Sequence, residues 1–113
     1  MERPLNTLET PEHRGFRALA DPTRRSILQI LAGNAMTIAE VAENFDMTRA
    51  AVKKHLTILH EGNLISVKTD GRSRVNALNP DGLRLVTDWF GYFDAFWDDR
   101  LHALKTAIEK ETQ

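Results

Sequence analysis

The stretch IAEVAENFDMTRAAVKKHLTILHEG, residues 38–62, constrains the fold of this chain more than any other. It reads as two helices with almost nothing between them. Thr37, followed three residues later by Glu40, forms a capping box in which side chain and backbone satisfy each other's donors, so a short helix starts there and ends near Phe45. Asp46, Met47 and Thr48 make the corner, Thr48 caps a second helix, and Gly62 ends it. Two short helices joined by a three-residue turn form a helix-turn-helix.

The second helix has two unlike faces. Successive residues turn by roughly 100°, which places Ala51, Val52, His55, Leu56, Ile58 and Leu59 on one half. Arg49, Ala50, Lys53, Lys54, Thr57, His60 and Glu61 fall on the other. The first set is a core stripe. The second gathers bases and a short hydroxyl, Thr48, at the helix N-terminus, as in a helix that enters a nucleic-acid groove. A solvated helix face looks the same, so this stretch alone does not decide.

The flanks define what packs against it. A first helix is expected over Pro11–Ala20, with Phe16, Leu19 and Ala20 inward. Asp21-Pro22 then starts a second, Asp as cap and Pro in the first helical position, which buries Ile27, Ile30 and Leu31 and stops at Gly33. Residues 1–9 show little periodicity and are expected to form a loose arm preceding a single domain over 10–110.

Downstream, LISVKTDGRSRVNALN over residues 64–79 has the alternation of a β-hairpin: Ile65 and Val67 against Ser66 and Lys68, then Val75 and Ala77 against Arg74 and Asn76. Asp70-Gly71 is its expected tip. A hairpin directly after a helix-turn-helix is a wing, and Lys68, Arg72 and Arg74 suit it to phosphates or the minor groove. Basic residues on edge strands also serve to block aggregation, and that reading has equal weight here.

From Asn79-Pro80 a long helix is expected to run to Glu109, with Leu83, Val86, Phe90, Phe93, Trp97, Leu101, Leu104 and Ile108 spaced by three and four. Trp89 and Phe96 widen that stripe, and six of the eight aromatic residues lie between positions 89 and 97. So small a domain cannot bury such a band along one helix, so the surplus predicts a partner, most simply a second copy of the chain. An aromatic pocket for a ligand is the alternative.

Charge is distributed unevenly. The formal net charge is only −1, yet residues 47–79 carry six basic and two acidic side chains, against an acidic excess on both sides. Fields beyond about 8–10 Å are screened, so a local basic stripe on a neutral protein still attracts phosphate. Cysteine is absent, which excludes disulfides and thiolate metal sites and makes a cytoplasmic location the default. No apolar run is long enough to span a membrane and no secretory h-region opens the chain. Catalysis finds no support: there is no Gly-rich phosphate loop or nucleophile elbow, and the four histidines lack metal-ligand spacing. No cofactor is expected.

FRALADPTRRSILQIL and MTRAAVKKHLTILHEGNLISVKTDGRSRVNALNP resemble the second-helix signature and the recognition helix with wing of the ArsR family of bacterial winged-helix repressors. The likeness extends over roughly residues 12–108. It implies a mainly α winged helix-turn-helix with one β-hairpin, a homodimer joined through its first and last helices, and binding to inverted repeats in promoter DNA. Many members release DNA when an inducer binds; the inducer here is not legible. By this resemblance the recognition helix is 48–61, the wing 64–79 and the dimerisation helix 80–109.

On that reading Thr48, Arg49, Ala50, Lys53 and Lys54 enter the major groove. Arg49 is best shaped for guanine O6 and N7, because its planar fork fits two acceptors, while Lys53 and Lys54 suit phosphates. Lys68, Arg72 and Arg74 contact backbone or minor groove from the wing. Arg24 and Arg25 are further phosphate contacts or simply solvated, and His55 is expected to be a hydrogen-bonded core histidine. Phe16, Trp89, Phe93, Phe96, Trp97, Leu101 and Leu104 form the dimerisation face.

The sequence departs from the metal-sensing members of the family. Their Cys-x-Cys-type motif falls on the helix that here reads IAEVAENF, without a thiol. Asp94, Asp98 and His102 are the sole counterparts of a second metal site on the last helix, and one histidine with two aspartates is a poor zinc set. No metal is expected to bind, and these three are read as ordinary helix-surface residues.

Overall fold

The computed structural model describes residues 10–111. The expected arm over residues 1–9 lies outside them. The elements are α1 (His13–Leu19), α2 (Pro22–Gly33), α3 (Ile38–Ala42), α4 (Arg49–Glu61), β1 (Ile65–Asp70), β2 (Ser73–Leu78), α5 (Pro80–Phe90) and α6 (Asp94–Glu111). This is a winged helix-turn-helix: a small helical layer, one antiparallel hairpin, and a long helical C-terminal limb.

Local chemistry sets the helix starts. The Asp21 carboxylate accepts from the Arg24 amide at 3.0 Å with Pro22 in the first helical position. Thr37 and Glu40 close a full capping box at 3.2 and 2.9 Å. The Thr48 hydroxyl accepts from the Ala51 amide at 3.1 Å. Each such cap satisfies a donor the helix itself cannot, for about 1 kcal/mol. α3 stops at Ala42 rather than near Phe45, which half-buries its ring against the core outside the helix.

The core is one cluster: Ala18, Ile27, Leu28, Leu31, Val41, Val52, Leu56, Leu59, Leu64, Ile65 and Val86. In α2 Leu28 is buried, whereas Ile30, expected inward, is only half-buried. In α1 the deepest residues are Gly15 and Ala18, while Phe16 and Leu19 are half-buried and Ala20 is exposed. The reason is proximity: a Cβ on Gly15 would stand 2.9 Å from Val86 Cγ2, so α1 presents its smallest residues where it crosses α5.

The hairpin inverts one expectation. Its register pairs Ile65 with Leu78, Val67 with Asn76 and Lys68 with Val75. Residues directly opposite share a face, so Asn76 and Leu78, not Val75 and Ala77, lie on the inner side with Ile65 and Val67. Asn76 is buried, and its cost is met by Met36: the two exchange backbone hydrogen bonds at 2.9 and 2.7 Å, and Asn76 Nδ2 donates to the Met36 carbonyl at 3.1 Å. Asp70 pairs with Ser73, so the two-residue tip is Gly71-Arg72, one position beyond the expected one. Gly71 has φ 64°, the positive value that a type II′ hairpin needs at its first turn position.

The limb is helical from Pro80 to Glu111, with one tightened 3₁₀ turn at Gly91–Phe93. Glycine at 91 weakens the α-helical ladder at that point. α5 buries Gly82 and Val86, and α6 buries nothing. Among the described residues no helix is long and apolar enough to cross a membrane.

Candidate nucleic-acid interface

Helix α4 sits on the core through Val52, Leu56 and Leu59, all buried. That seat turns Arg49, Ala50, Lys53, Lys54, Thr57, His60 and Glu61 outward, and all seven are exposed. No acidic residue occupies the first turn. The partial positive charge of a helix N-terminus therefore adds to Arg49, Lys53 and Lys54. Thr48 spends its hydroxyl oxygen on the cap, which leaves its O–H free to donate outward.

The hairpin divides its bases between two faces. Arg72 is in the tip itself, exposed. Lys68 pairs with Val75 on the outer face; Arg74 pairs with Thr69 on the inner face, two positions beyond Asn76. Arg74 consequently meets Lys53 across a cleft between α4 and the hairpin, lined also by Thr57, His60, Val67 and Asn76. Thus the fold brings Lys53 and Arg74 to one site and sets Lys68 apart from it. Strand register, not alternation of residue types, is the signal that reveals this.

Arg24 and Arg25 are engaged inside the protein. Arg25 Nη1 donates to the Leu19 carbonyl at 2.7 Å, and Arg24 Nε donates to the Ala18 carbonyl at 2.7 Å. Arg24 Nη2 reaches the Arg17 carbonyl at 3.4 Å. Two guanidinium groups thus close the C-terminus of α1, where orphan carbonyls and the helix dipole both favour cations. Arg24 Nη1 also lies 3.4 Å from His55 Nδ1 on α4. His55, expected as a hydrogen-bonded core histidine, makes that contact but is only half-buried, its side chain 20% exposed. Its Nδ1 stands 3.9 Å from Asp21 Oδ2. The backbone amide of Arg24, with a smaller contribution from the Arg24 charge, holds the Asp21 carboxyl below the usual carboxylate range.

The apolar surplus lies on the limb. Trp89, Phe90, Tyr92, Phe93, Phe96, Trp97, Leu101, Leu104 and Ile108 are all exposed. Phe16 of α1 stacks edge-on against Trp89 and Phe90, with centroids 5.3 and 5.8 Å apart, and Trp89 continues to Phe93 at 5.3 Å. Phe96 and Trp97 form a separate pair, with Arg100 over the Phe96 ring at 5.4 Å. Leu101 and Leu104 lie further along α6. Phe16, Trp89 and Phe93 are therefore contiguous in one copy, and the rest follow along one limb. Among the described residues no group of three or more histidines and carboxylates, Asp94, Asp98 and His102 included, is arranged to hold a metal ion.

The fold and this surface define a winged helix-turn-helix protein of the nucleic-acid-binding kind. A helix-turn-helix domain model matches residues 19–68. The HTH-type transcriptional regulator Rv2034 of Mycobacterium tuberculosis is 35% identical over 108 residues, which cover 95% of this chain and 96% of that protein. The transcriptional repressor SdpR of Bacillus subtilis is 36% identical over 74 residues, 66% of this chain and 82% of its own. Among solved structures, the ArsR family transcriptional regulator RHA00566 superposes with a TM-score of 0.71 at 31% identity, over 79% of this chain and 98% of that one. The chain belongs to the ArsR family of winged-helix transcriptional regulators.

Proposed function

We propose that this regulator is a homodimeric repressor that binds an imperfect inverted repeat in promoter DNA and therefore works in the cytoplasm. The observation that carries the reading is the exposed face of α4: a capped helix N-terminus free of acids, bearing Arg49, Lys53 and Lys54 beside a hairpin with Arg72 at its tip. Thr48, Arg49 and Ala50 reach base edges in the major groove, with Arg49 bidentate on guanine. Lys53 and Arg74 hold phosphates at the α4–hairpin cleft, Lys54 holds phosphate from the exposed face of α4, and Lys68 and Arg72 follow the backbone or enter the minor groove.

Dimerisation uses Phe16, Trp89, Phe93, Phe96, Trp97, Leu101 and Leu104. Support comes from the continuous apolar limb, on which α6 buries no residue within its own chain. The radius of gyration, 19.5 Å, far exceeds the roughly 13 Å of a closed chain this long. A second copy laid along the limb removes both anomalies and presents two α4 helices to two half-sites. Asp94, Asp98 and His102 play no part in sensing a metal. Sequencing the genomic fragments retained by the purified protein tests the reading: enrichment of short inverted repeats supports it, and uniform recovery of all fragments opposes it.

A further inference from the structure

Arg24, on α2, reaches α1 and α4 with one side chain. It donates through Nε to the Ala18 carbonyl at 2.7 Å, and its backbone amide donates to Asp21 at 3.0 Å. Through Nη1 it meets His55 Nδ1, in the middle of α4, at 3.4 Å. Guanidinium has five donors and no acceptor. Its approach to Nδ1 is therefore a hydrogen bond only when that nitrogen carries no proton, so the ring proton belongs on Nε2. Asp21 Oδ2 stands 3.9 Å from the same nitrogen, beyond hydrogen-bond distance.

We infer that His55 is a positioning residue for DNA recognition, acting through Arg24. The pair pins the recognition helix to the carboxyl end of α1, the helix whose Phe16 stacks on Trp89 and Phe90 of the limb. The rotation and depth of α4 then follow α1, whose Phe16 packs on the aromatic face of the limb. Base-edge contacts tolerate little displacement, whereas phosphate contacts are made by long, adaptable side chains. Loss of the pin is thus felt in sequence preference and not in bulk attraction. This rests on α4 being the DNA-reading helix, as proposed above.

The test uses the full chain and two duplexes: one enriched by the wild-type protein from a randomised pool, and one of random sequence. His55→Leu removes the acceptor; His55→Asn restores one at the position of Nδ1. His55→Leu is expected to weaken the enriched duplex about tenfold, leave the random duplex unchanged, and stay folded by circular dichroism. His55→Asn is expected to recover most of the loss. Nitrogen-15 spectra of the imidazole should show the Nε2–H tautomer in wild type. A proton on Nδ1, an equal loss on both duplexes, or an Asn variant as poor as Leu overturns the inference. Failure of the wild type to bind any duplex defeats the DNA reading instead, and the tautomer measurement still judges the contact.

Discussion

Gly82 in the first turn of α5 lies so close beneath Asn63 that a Cβ at position 82 would overlap the Asn63 carbonyl oxygen. Asn63 itself takes the left-handed φ of 64° that ends α4, and Asn79 Nδ2 clasps its carbonyl and side-chain oxygen at 3.1 and 2.9 Å. The recognition helix and the limb are thereby joined backbone to backbone. Gly82→Ala is expected to lower stability by roughly 1–3 kcal/mol, as overpacking does. Asn63→Gly loses the side-chain clasp but keeps the φ, and Asn63→Ala should be worse, because alanine adopts left-handed φ at about 1–2 kcal/mol. Urea denaturation of the three variants measures the order.

Arg49→Ala and Arg72→Ala should fail differently. The first loses a bidentate base contact, costing about 1–3 kcal/mol on the preferred duplex and relaxing choice at one base pair. The second, at the hairpin tip, should weaken preferred and random duplexes alike and flatten the salt slope by about two, one contact per subunit. Binding titrations on both duplexes separate them. Unchanged sequence preference in Arg49→Ala contradicts its assigned role.

Much of this surface was legible in the sequence because caps and amphipathic faces are local. Asp21, Thr37 and Thr48 announce their helices by side chains that bond within three residues. The α4 face follows from a period of 3.6 residues alone. What was not legible depends on distant partners. Asn76 is buried because Met36, forty residues earlier, supplies acceptors and donors for it. Arg24 and Arg25 look like free cations until the carbonyls of α1 fold back onto them. Gly15 is deep in α1 because of Val86, which no local pattern reveals.

Phe93 and Trp97 test the dimer. Burial of either ring between two copies means that truncation to Ala costs about 3–5 kcal/mol of dimer stability. Sedimentation should show monomer, and DNA affinity should fall because one recognition helix then holds one half-site. Variants that remain dimeric and keep full affinity, while ceasing to respond to an inducing ligand, assign the rings to a pocket.

Asp21 gives the acid dependence a sign. Its folded pKa lies below the ordinary 3.8, held there chiefly by the Arg24 amide. The cap's contribution is therefore complete above that ordinary value and is lost as pH falls through the depressed one. Asp21→Asn keeps a capping oxygen without the titration. Stability curves of wild type and variant should converge in strong acid and differ most at neutral pH. A constant offset across the whole range contradicts the assignment.

The most direct measurement is the salt dependence of binding to the enriched duplex. If the bases of α4 and the hairpin meet the DNA backbone, four to eight phosphate contacts per dimer are made, and log K falls against log salt with a slope of roughly −4 to −7. Lys53→Ala and Arg74→Ala should each reduce that slope by about two, one contact being lost from each subunit. A slope near zero, or one untouched by either substitution, contradicts the account that this basic face is the DNA interface.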